Sequence, residues 1–531
     1  MRTPTARRKP QKVQTASFPA PVGGWIANRS LAIGRDPKLP PGAAVLDNFF
    51  PTSTGVILRR GTEKRYSIGS GPVMSMFRYV SGAQSELFAS VDGEIFDIST
   101  SVASSVYADG TNGNWHVQQI TTSGGTFLIG VNGVDEPWIY DGTDFMPVSD
   151  FGSGITFPSG VTLSTSDLSY VWLYASRLWF VQKDSLSAWY LPVDVVVGEL
   201  EEMPLGGVFT RGGSLAWGQS WSLTSGGSGG LSDQCVFVST EGEVLAYQGI
   251  DPGSATDWTK AGQYRIGEPM GAKGFVRAGG DLLIATSVGL VSLAEASKRD
   301  YAALGSTAAS YPIEEAWTEA VSLRGMVDWR CMVWPEGKMV IVSPPSGVNY
   351  GPVCLVANSN TGAWCRFTTW DIASMEVFNG QLHFGDRDGN VWIGNITGAD
   401  DGAPYTGVCI PLFEDLGSPA SRKIARNASA TKRSRYKAVE KLTAVFDFEK
   451  NPGPAPDAYL TDQSSTWGSG IWGTSLWGDS AGEIVTGRWV SLGGSGRDVS
   501  VAFQVTSGDI TPTDVELIRM VATFEICGIV T

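Results

Sequence analysis

The clearest indication of the fold is the stretch ELFASVDGEIFDI at residues 86–98. Apolar residues alternate with polar ones or run together on both sides of Asp92 and Gly93. An Asp-Gly dipeptide tolerates the positive φ angles of a tight hairpin turn. The stretch therefore predicts two short antiparallel strands joined by that turn.

Copies of this pattern follow one another over most of the chain. Each has a short apolar strand, a turn rich in Gly, Asp or Asn, and a second apolar strand. After the first copy they lie at residues 126–142, 177–191, 235–247, 281–293, 338–367 and 381–394. A spacing of roughly 40 to 60 residues is typical of four-stranded propeller blades, because a closed ring buries both faces of each hairpin. A set of β-sandwiches with similar hairpins is the competing interpretation.

The composition agrees with an all-β fold. The 531 residues include 66 Gly and 19 Trp, as many short strands and tight turns require. We predict an all-β chain whose residues 66–400 form a β-propeller of about six or seven blades. No uninterrupted apolar run reaches membrane-spanning length, so no membrane-spanning segment is expected. The six cysteines form no CxxC pair and are expected to be buried thiols of a protein made in a reducing cytoplasm.

The residue types that carry chemistry argue against an enzyme. Histidine is the commonest general base and metal ligand, but the chain has only His116 and His383. Each stands in an apolar, strand-like run and is interpreted as an ordinary strand residue. The sequence has no P-loop, GxSxG or HExxH motif. We expect no catalytic residue, no metal site and no cofactor.

The net charge of −14 argues against a protein that grips nucleic acid over its whole surface, because affinity for DNA comes mainly from cations placed against phosphates. An acidic wall instead lets a duplex slide past it without sequence-specific binding.

Two basic segments stand out against this acidic background. Residues 1–20 are basic, Pro-rich and aperiodic, and are expected to be a flexible arm. This arm is either solvated or folded onto an acidic neighbour or nucleic acid. The second segment is a candidate contact for DNA, or for an acidic patch on a neighbouring subunit or adaptor. Its cations are Arg422, Lys423, Arg426, Lys432, Arg433, Arg435 and Lys437.

Two aromatic groups are further candidates for subunit-interface or adaptor contacts. Trp467, Trp472 and Trp477 recur at every fifth residue of a Gly-rich segment. This spacing fits neither a strand nor a helix, so we expect an irregular loop with inserted anchors. Such indoles suit either a desolvated subunit contact or a carbohydrate-stacking platform. The second group is the pair Phe49 and Phe50, which forms an aromatic plug in a turn-rich stretch.

An acidic run at Glu199, Glu201 and Glu202 falls in a predicted connection between blades. These carboxylates are candidates for lining a channel or binding a cation. The competing interpretation is an ordinary solvated loop.

The N-terminal segment carries a family resemblance. Its residues are Gly23-Gly24-Trp25, the run from Pro41 to Pro51, and Arg59-Arg60-Gly61-Thr62. Together with the hairpin pattern, they make the sequence similar to the tail nozzle protein (tail tubular protein B) of short-tailed, podovirus-like bacteriophages. The resemblance implies a homohexameric ring below the portal and adaptor, built on a β-propeller with a platform domain. Its bore conducts viral double-stranded DNA and is closed before ejection.

The resemblance also sets expectations for organisation and partners. Residues 21–65 and 401–531 are expected to pack together as an additional β-rich platform that meets the adaptor, while the propeller points outward. The expected partners are further copies of this chain, the head-to-tail adaptor, tail fibres, and DNA passing through the lumen. The expected location is the virion tail, after assembly in the bacterial host cytoplasm. The rival functions are a trimeric receptor-binding or glycan-depolymerising tail protein, and a propeller scaffold unrelated to phage.

Overall fold

The computed structural model describes residues 12–28, 39–223, 232–347, 349–434, 438–458, 484–509 and 511–529. It is 50% strand and 6% helical, which confirms the all-β prediction. The chain divides into two compact units. Unit 1 takes the described parts of Met1–Glu63, Leu355–Thr369 and Asn395–Thr531, and unit 2 takes those of Lys64–Cys354 and Trp370–Gly394.

The strands are numbered in chain order. In the first half of the chain they are β1 (Lys12–Pro19), β2 (Ala43–Asp47), β3 (Phe49–Pro51), β4 (Val56–Leu58), β5 (Gly61–Ser67), β6 (Val73–Ser81), β7 (Gln84–Val91), β8 (Glu94–Asp97), β9 (Ser104–Tyr107), β10 (His116–Thr122), β11 (Gly125–Val131), β12 (Trp138–Tyr140), β13 (Phe145–Pro147), β14 (Ile155–Thr156), β15 (Leu168–Tyr174), β16 (Arg177–Gln182), β17 (Ser187–Tyr190), β18 (Gly198–Glu199), β19 (Glu201–Pro204), β20 (Leu215–Leu223), β21 (Ser232–Ser239), β22 (Glu243–Gln248) and β23 (Thr259–Arg265).

In the second half the strands are β24 (Phe275–Ala278), β25 (Asp281–Thr286), β26 (Gly289–Ser292), β27 (Arg330–Trp334), β28 (Met339–Ser343), β29 (Cys354–Asn358), β30 (Trp364–Phe367), β31 (Ser374–Phe378), β32 (Gln381–Gly385), β33 (Asn390–Thr397), β34 (Tyr405–Pro411), β35 (Ser421–Arg433), β36 (Glu440–Phe446), β37 (Ile484–Thr486), β38 (Val490–Ser491), β39 (Ser495–Gly496), β40 (Val499–Ser507) and β41 (Glu516–Ile529). The α-helices are α1 (Leu293–Ala296) and α2 (Glu314–Arg324). Short 3-10 helices lie at Val148–Asp150, Thr165–Asp167, Tyr301–Ala303, Gly305–Thr307 and Tyr311–Ile313.

Unit 2 contains a six-bladed β-propeller, which confirms the predicted fold class over the alternative of β-sandwiches. The blades are the separate sheets β6–β9, β10–β13, β15-β16-β17-β19, β20–β23, β24–β26, and β31–β33 with β5. The hairpin of β27 and β28 lies between blades 5 and 6, where β27 contacts both β24 and β31. Blade 6 combines strands from distant parts of the chain, because β5 comes from the N-terminal side and pairs with β33.

The hairpin at residues 86–98 forms as predicted. β7 and β8 pair antiparallel with Val91 opposite Glu94. Asp92 and Gly93 form the turn with φ angles of 50° and 90°, the left-handed region that such a turn requires. Aromatic residues on neighbouring blades then pack together, as with Phe77 and Trp138, whose ring centroids are 5.4 Å apart. The preference of the turn residues and the packing between blades therefore favour the same hairpin.

Unit 1 is built from strands near both ends of the chain. In one sheet, β41 pairs with β35 on one side and with β1 and β4 on the other. A second run of paired strands follows the order β30-β2-β34-β40-β36. β2 pairs parallel to β30 and antiparallel to β34. The apolar faces pack into a buried cluster that includes Val45, Ile410 and Ala502.

Two segments differ from the organisation expected from the sequence. Residues 12–19, expected in the flexible arm, form β1, which pairs with β41 from Lys12 opposite Ile526 to Pro19 opposite Arg519. Ala16 and Phe18 are buried there while Thr15 and Ser17 are exposed, so the segment has the alternation of a strand with one solvated face. Residues before 12 lie outside the described chain. Residues 355–369, expected in the propeller, cluster with unit 1.

In the described ranges, none of the helices has both the length and the apolar character needed to span a membrane.

Candidate functional site

Phe49 and Phe50, predicted to contact another subunit or the adaptor, lie on β3 in the interior of unit 1. Phe49 has no exposed surface and its ring centroid is 5.8 Å from that of Phe503. Phe50 is 8% exposed. A side chain with no accessible surface cannot contact a partner of the folded chain. We therefore correct the prediction for both residues: Phe49 and Phe50 are buried core residues of unit 1.

The basic segment forms β35, and two of its lysines are buried. Lys423 has no exposed surface, and its Nζ donates to Ser418 O at 2.7 Å and Arg497 O at 2.6 Å. Lys432 forms an ion pair with Glu440 at 2.5 Å. The prediction that these lysines contact DNA or a neighbouring subunit is corrected, because their ammonium groups are satisfied inside the chain.

The arginines of β35 are half-exposed and bind acceptors of the same unit. Arg426 Nε donates to Glu525 Oε2 at 2.8 Å, and Arg433 Nη1 donates to Glu516 Oε2 at 3.1 Å. The sequence left DNA or an acidic patch on a neighbouring subunit or adaptor as possible partners of these arginines; in the structure, glutamates of β41 bind them.

The remaining arginine of this segment, Arg422, donates from Nε to Ser495 Oγ at 2.8 Å. Five sequence-predicted contact residues lie outside the described residues. They are Arg435, Lys437, Trp467, Trp472 and Trp477.

The acidic run lies on edge strands and not in a loop. Glu199 is in β18, and Glu201 and Glu202 begin β19, the outermost strand of blade 3. Glu201 accepts a hydrogen bond from the Tyr190 hydroxyl at 2.8 Å, and Glu202 accepts one from Ser187 Oγ at 2.8 Å. All three glutamates are exposed.

The residues that carry the family resemblance form a connected polar network in unit 1. Arg59 is fully buried, and its Nη2 lies 2.7 Å from Asp400 Oδ2. Its Nε donates to Asn48 Oδ1 at 3.0 Å. Asn48 Nδ2 in turn donates to Thr406 O at 2.8 Å and to Thr368 Oγ1 at 2.9 Å. The motif therefore joins three distant parts of the chain.

A second part of the motif converges on Arg366. Asp47 accepts two hydrogen bonds from Arg366, at 2.7 and 2.9 Å, and the Arg366 guanidinium lies 4.6 Å from the Trp25 ring centroid. Gly24 has φ +80°, and a Cβ there would lie 2.6 Å from both the backbone N and the backbone O of Trp364. This position therefore requires glycine for two independent reasons, conformation and close approach.

Unit 2 contains a cavity of about 250 Å³ that we call the inner-strand cavity. Residues of the inner strands β6, β10, β15, β27 and β31 line it, together with residues at the start of β24. The groups in its wall that carry chemistry are His116, Tyr170, Lys273, Arg330, Cys331 and Glu376. Because each inner strand comes from a different sheet, residues far apart in sequence face one space.

Positive groups predominate in the wall of this cavity. Lys273 Nζ donates to Ser75 Oγ at 2.8 Å, Asn114 Oδ1 at 3.1 Å and Met74 O at 3.2 Å, all neutral acceptors. Burial, and then the charge of Arg330, hold the pKa of Lys273 well below its usual value. Desolvation disfavours the charged form in the same way at His116, whose pKa is also well below its usual value.

Arg330 and Glu376 complete the charged wall. The Arg330 side chain is 7% exposed, and its Nε donates to Ala373 O at 3.0 Å. Its nearest carboxylate oxygen, Asp328 Oδ1, is 3.6 Å from Nη2. Burial raises the pKa of Glu376 to about 7, against the opposing effects of Arg78 and of the Val377 backbone N–H.

Sequence analysis did not identify these wall residues as a group. His116 was interpreted as an ordinary strand residue, and it does begin β10, but it also faces the cavity. A usable signal was present at Glu376, a charged residue between the apolar neighbours Met375 and Val377, although no strand was predicted there. Nothing in the sequence connected it to Lys273 or Arg330. Elsewhere, no three or more His, Cys, Asp or Glu side chains within the described ranges are grouped so that they could hold a metal ion.

Comparison with known proteins identifies no family for this chain. No protein-family profile and no curated protein matches it. Among solved structures, BBS1N in complex with ARL6DN, soaked with lead, aligns at 10% identity with a TM-score of 0.38 and covers 64% of this chain and 97% of that chain. The same complex soaked with mercury aligns at 9% identity with a TM-score of 0.25 and covers 61% and 77%. At these TM-scores we draw no conclusion about function from either similarity.

Proposed function

We propose that this chain is a structural subunit of a short phage tail, where copies of it form a nozzle ring that retains DNA and conducts it into the host. The proposed ring is a homohexamer that binds the head-to-tail adaptor and carries or adjoins tail fibres. The chain has no catalytic role in this proposal.

One observation carries the proposal. The residues that resemble nozzle proteins (Gly24, Trp25, Asp47, Asn48 and Arg59) all make specific contacts within one folded unit. Because these residues jointly hold unit 1 together, we take the resemblance to extend to a shared platform fold.

The charge distribution supports passage of DNA without adhesion. The chain carries a net charge of −14. The four cations of β35 other than Arg422 already bind acidic or carbonyl partners of the same chain. Phosphate contacts need cations that are free to replace counterions, so this strand presents few of them to a duplex.

Cryo-electron microscopy of virions that contain this chain tests the proposal, together with native mass spectrometry of the purified protein. We expect six copies around an axial tunnel, next to the adaptor. A lone copy in mature virions, an assembly with no axial tunnel, or an isolated fibre away from the tail axis would overturn the proposal. A trimer that releases oligosaccharides from host surface glycans would support the receptor-binding alternative.

A further inference from the structure

We propose that the inner-strand cavity of unit 2 binds one small oxyanion of the size of phosphate or sulfate, with Arg330 and His116 as its direct donors and Lys273 as a nearby positive charge. The site lies in a single unit and does not depend on the proposed nozzle function.

The first step concerns the charge of Lys273. Its ammonium group has three neutral oxygen acceptors within 3.2 Å. Within the described residues, the carboxylate that acts on it electrostatically is that of Asp328, which is 56% exposed and whose ion pair is with Arg330. A buried charge without a counter-charge is costly, and natural proteins usually pair it. An anion in the cavity supplies the missing charge and stabilises the protonated lysine.

The second step concerns the donors of Arg330. Its guanidinium is 7% exposed and lines the cavity, yet only Nε makes a hydrogen bond, to Ala373 O. Asp328 is 56% exposed and lies 3.6 Å away, so it is a loose partner in contact with solvent. The Nη donors of an arginine form a planar fork that matches an oxyanion. His116 adds a ring N–H from β10, and its ring centroid is 4.8 Å from that of Tyr170.

The third step concerns the size of the cavity and the carboxylate in its wall that competes with a bound anion. A cavity of about 250 Å³ accommodates a tetrahedral oxyanion with several waters of about 30 Å³ each, but neither a duplex nor a peptide helix. The wall contains one carboxylate, Glu376, which competes with a bound anion when it is ionised. Glu376 accepts a hydrogen bond from the Val377 N–H at 3.2 Å and lies 3.8 Å from Arg78. Its side chain is 22% exposed, and these two contacts keep it in the wall of the cavity.

The experiment is calorimetric titration of the full-length protein with sodium sulfate and with sodium phosphate, at constant ionic strength set with chloride. We expect one site per chain. Arg330→Met removes charge-assisted donors and Lys273→Met removes a nearby positive charge, so each should weaken binding by about tenfold or more. Arg211→Met is the matched control, since Arg211 is an exposed arginine of unit 2 away from the cavity, and its affinity should equal that of the wild type.

A variant expected to bind more tightly distinguishes loss of the site from loss of the fold. Glu376→Gln should tighten sulfate binding at pH 8, where the wild-type carboxylate is ionised, and should leave binding at pH 5 unchanged. A protein that has lost its fold cannot gain affinity. Absence of binding at about 10 mM sulfate, a concentration at which even a weak site would be largely filled, equal affinity of wild type and Lys273→Met, or no gain for Glu376→Gln at pH 8 would each overturn the proposal.

Discussion

Arg59 and Asp400 are 341 residues apart in sequence, and Arg59 Nη2 lies 2.7 Å from Asp400 Oδ2 within unit 1. The arginine has no exposed side-chain surface, and its guanidinium carbon lies 4.0 Å from the Tyr405 ring centroid. The pair therefore ties the N-terminal motif to the start of the C-terminal segment through a desolvated contact.

Loss of the Asp400 charge should destabilise unit 1. Asp400→Asn removes the charge of the carboxylate that pairs with the buried Arg59, and breaking such a pair costs about 3 kcal/mol of unfolding free energy. Urea denaturation, combined with hydrogen exchange at β2 and β34, measures the loss and assigns it to unit 1. Glu449→Gln removes a carboxylate that is exposed and should change stability by less than about 0.5 kcal/mol. Equal effects of the two variants would contradict the role assigned to the pair.

Comparing Gly24 with Gly402 separates two costs of replacing glycine: backbone strain at positive φ, and a steric clash of the new Cβ with a neighbouring strand. Both have φ near +80°, but a Cβ at Gly402 would meet nothing within 4 Å, whereas one at Gly24 would lie 2.6 Å from the backbone of Trp364. Gly402→Ala should cost about 1 kcal/mol from backbone strain alone. Gly24→Ala should cost roughly 2 kcal/mol more, because the neighbouring strand must also shift. Thermal melting of the two variants under identical conditions tests the difference. Similar melting temperatures would show that β30 shifts away from the new Cβ at little energetic cost.

Glu376 should make stability depend on pH. Burial raises its pKa to about 7 from 4.5, so the folded chain binds this proton more tightly than the unfolded chain. The stabilisation is complete below pH 4.5 and is lost as the pH rises towards 7. Relative to the wild type, Glu376→Gln should therefore gain about 2 to 3 kcal/mol of stability at pH 8 and almost nothing near pH 4.5.

Chemical denaturation of unit 2 at several pH values measures this effect. Glu319→Gln provides the control, because Glu319 is exposed on α2 in the same unit. Its difference from the wild type should not vary with pH. A pH-independent difference for Glu376→Gln would show that this carboxylate is well solvated in the folded chain.

The ion pair between β35 and β41 should respond asymmetrically to loss of either partner. The Arg426 side chain is 52% exposed, whereas that of Glu525 is 7% exposed. Arg426→Met leaves the nearly buried carboxylate of Glu525 without this partner and should lower the free energy of unfolding by about 1 to 3 kcal/mol. Glu525→Gln leaves an arginine that water can solvate, and should cost less than about 1 kcal/mol. A double-mutant cycle read by urea denaturation measures both values, and the reverse order would be inconsistent with the observed burial.

Much of the fold can be predicted from short stretches of sequence. The hairpin of β7 and β8 depends on Asp92 and Gly93 at adjacent positions, and similar local signals predicted the other blade hairpins. β1 shows where local signals weaken. Among residues 13–19, Ala16 and Phe18 are the buried ones in a segment rich in polar residues. Its pairing with β41 is decided by a strand some 500 residues away.

The candidate sites depended on the tertiary structure. The sequence by itself determined that the chain is all-β, that its hairpins repeat at the spacing of propeller blades, and that it has few residues suited to acid–base chemistry. Only the folded chain decided that Asp400 is the partner of Arg59, that Glu525 and Glu516 bind the arginines of β35, and that Lys273, Arg330 and Glu376 share one cavity. The physical reason is that turn and strand preferences act between neighbouring residues. Pairing of charges depends instead on strand register and on closure of the propeller blades into a ring. These bring together residues that no local sequence pattern connects.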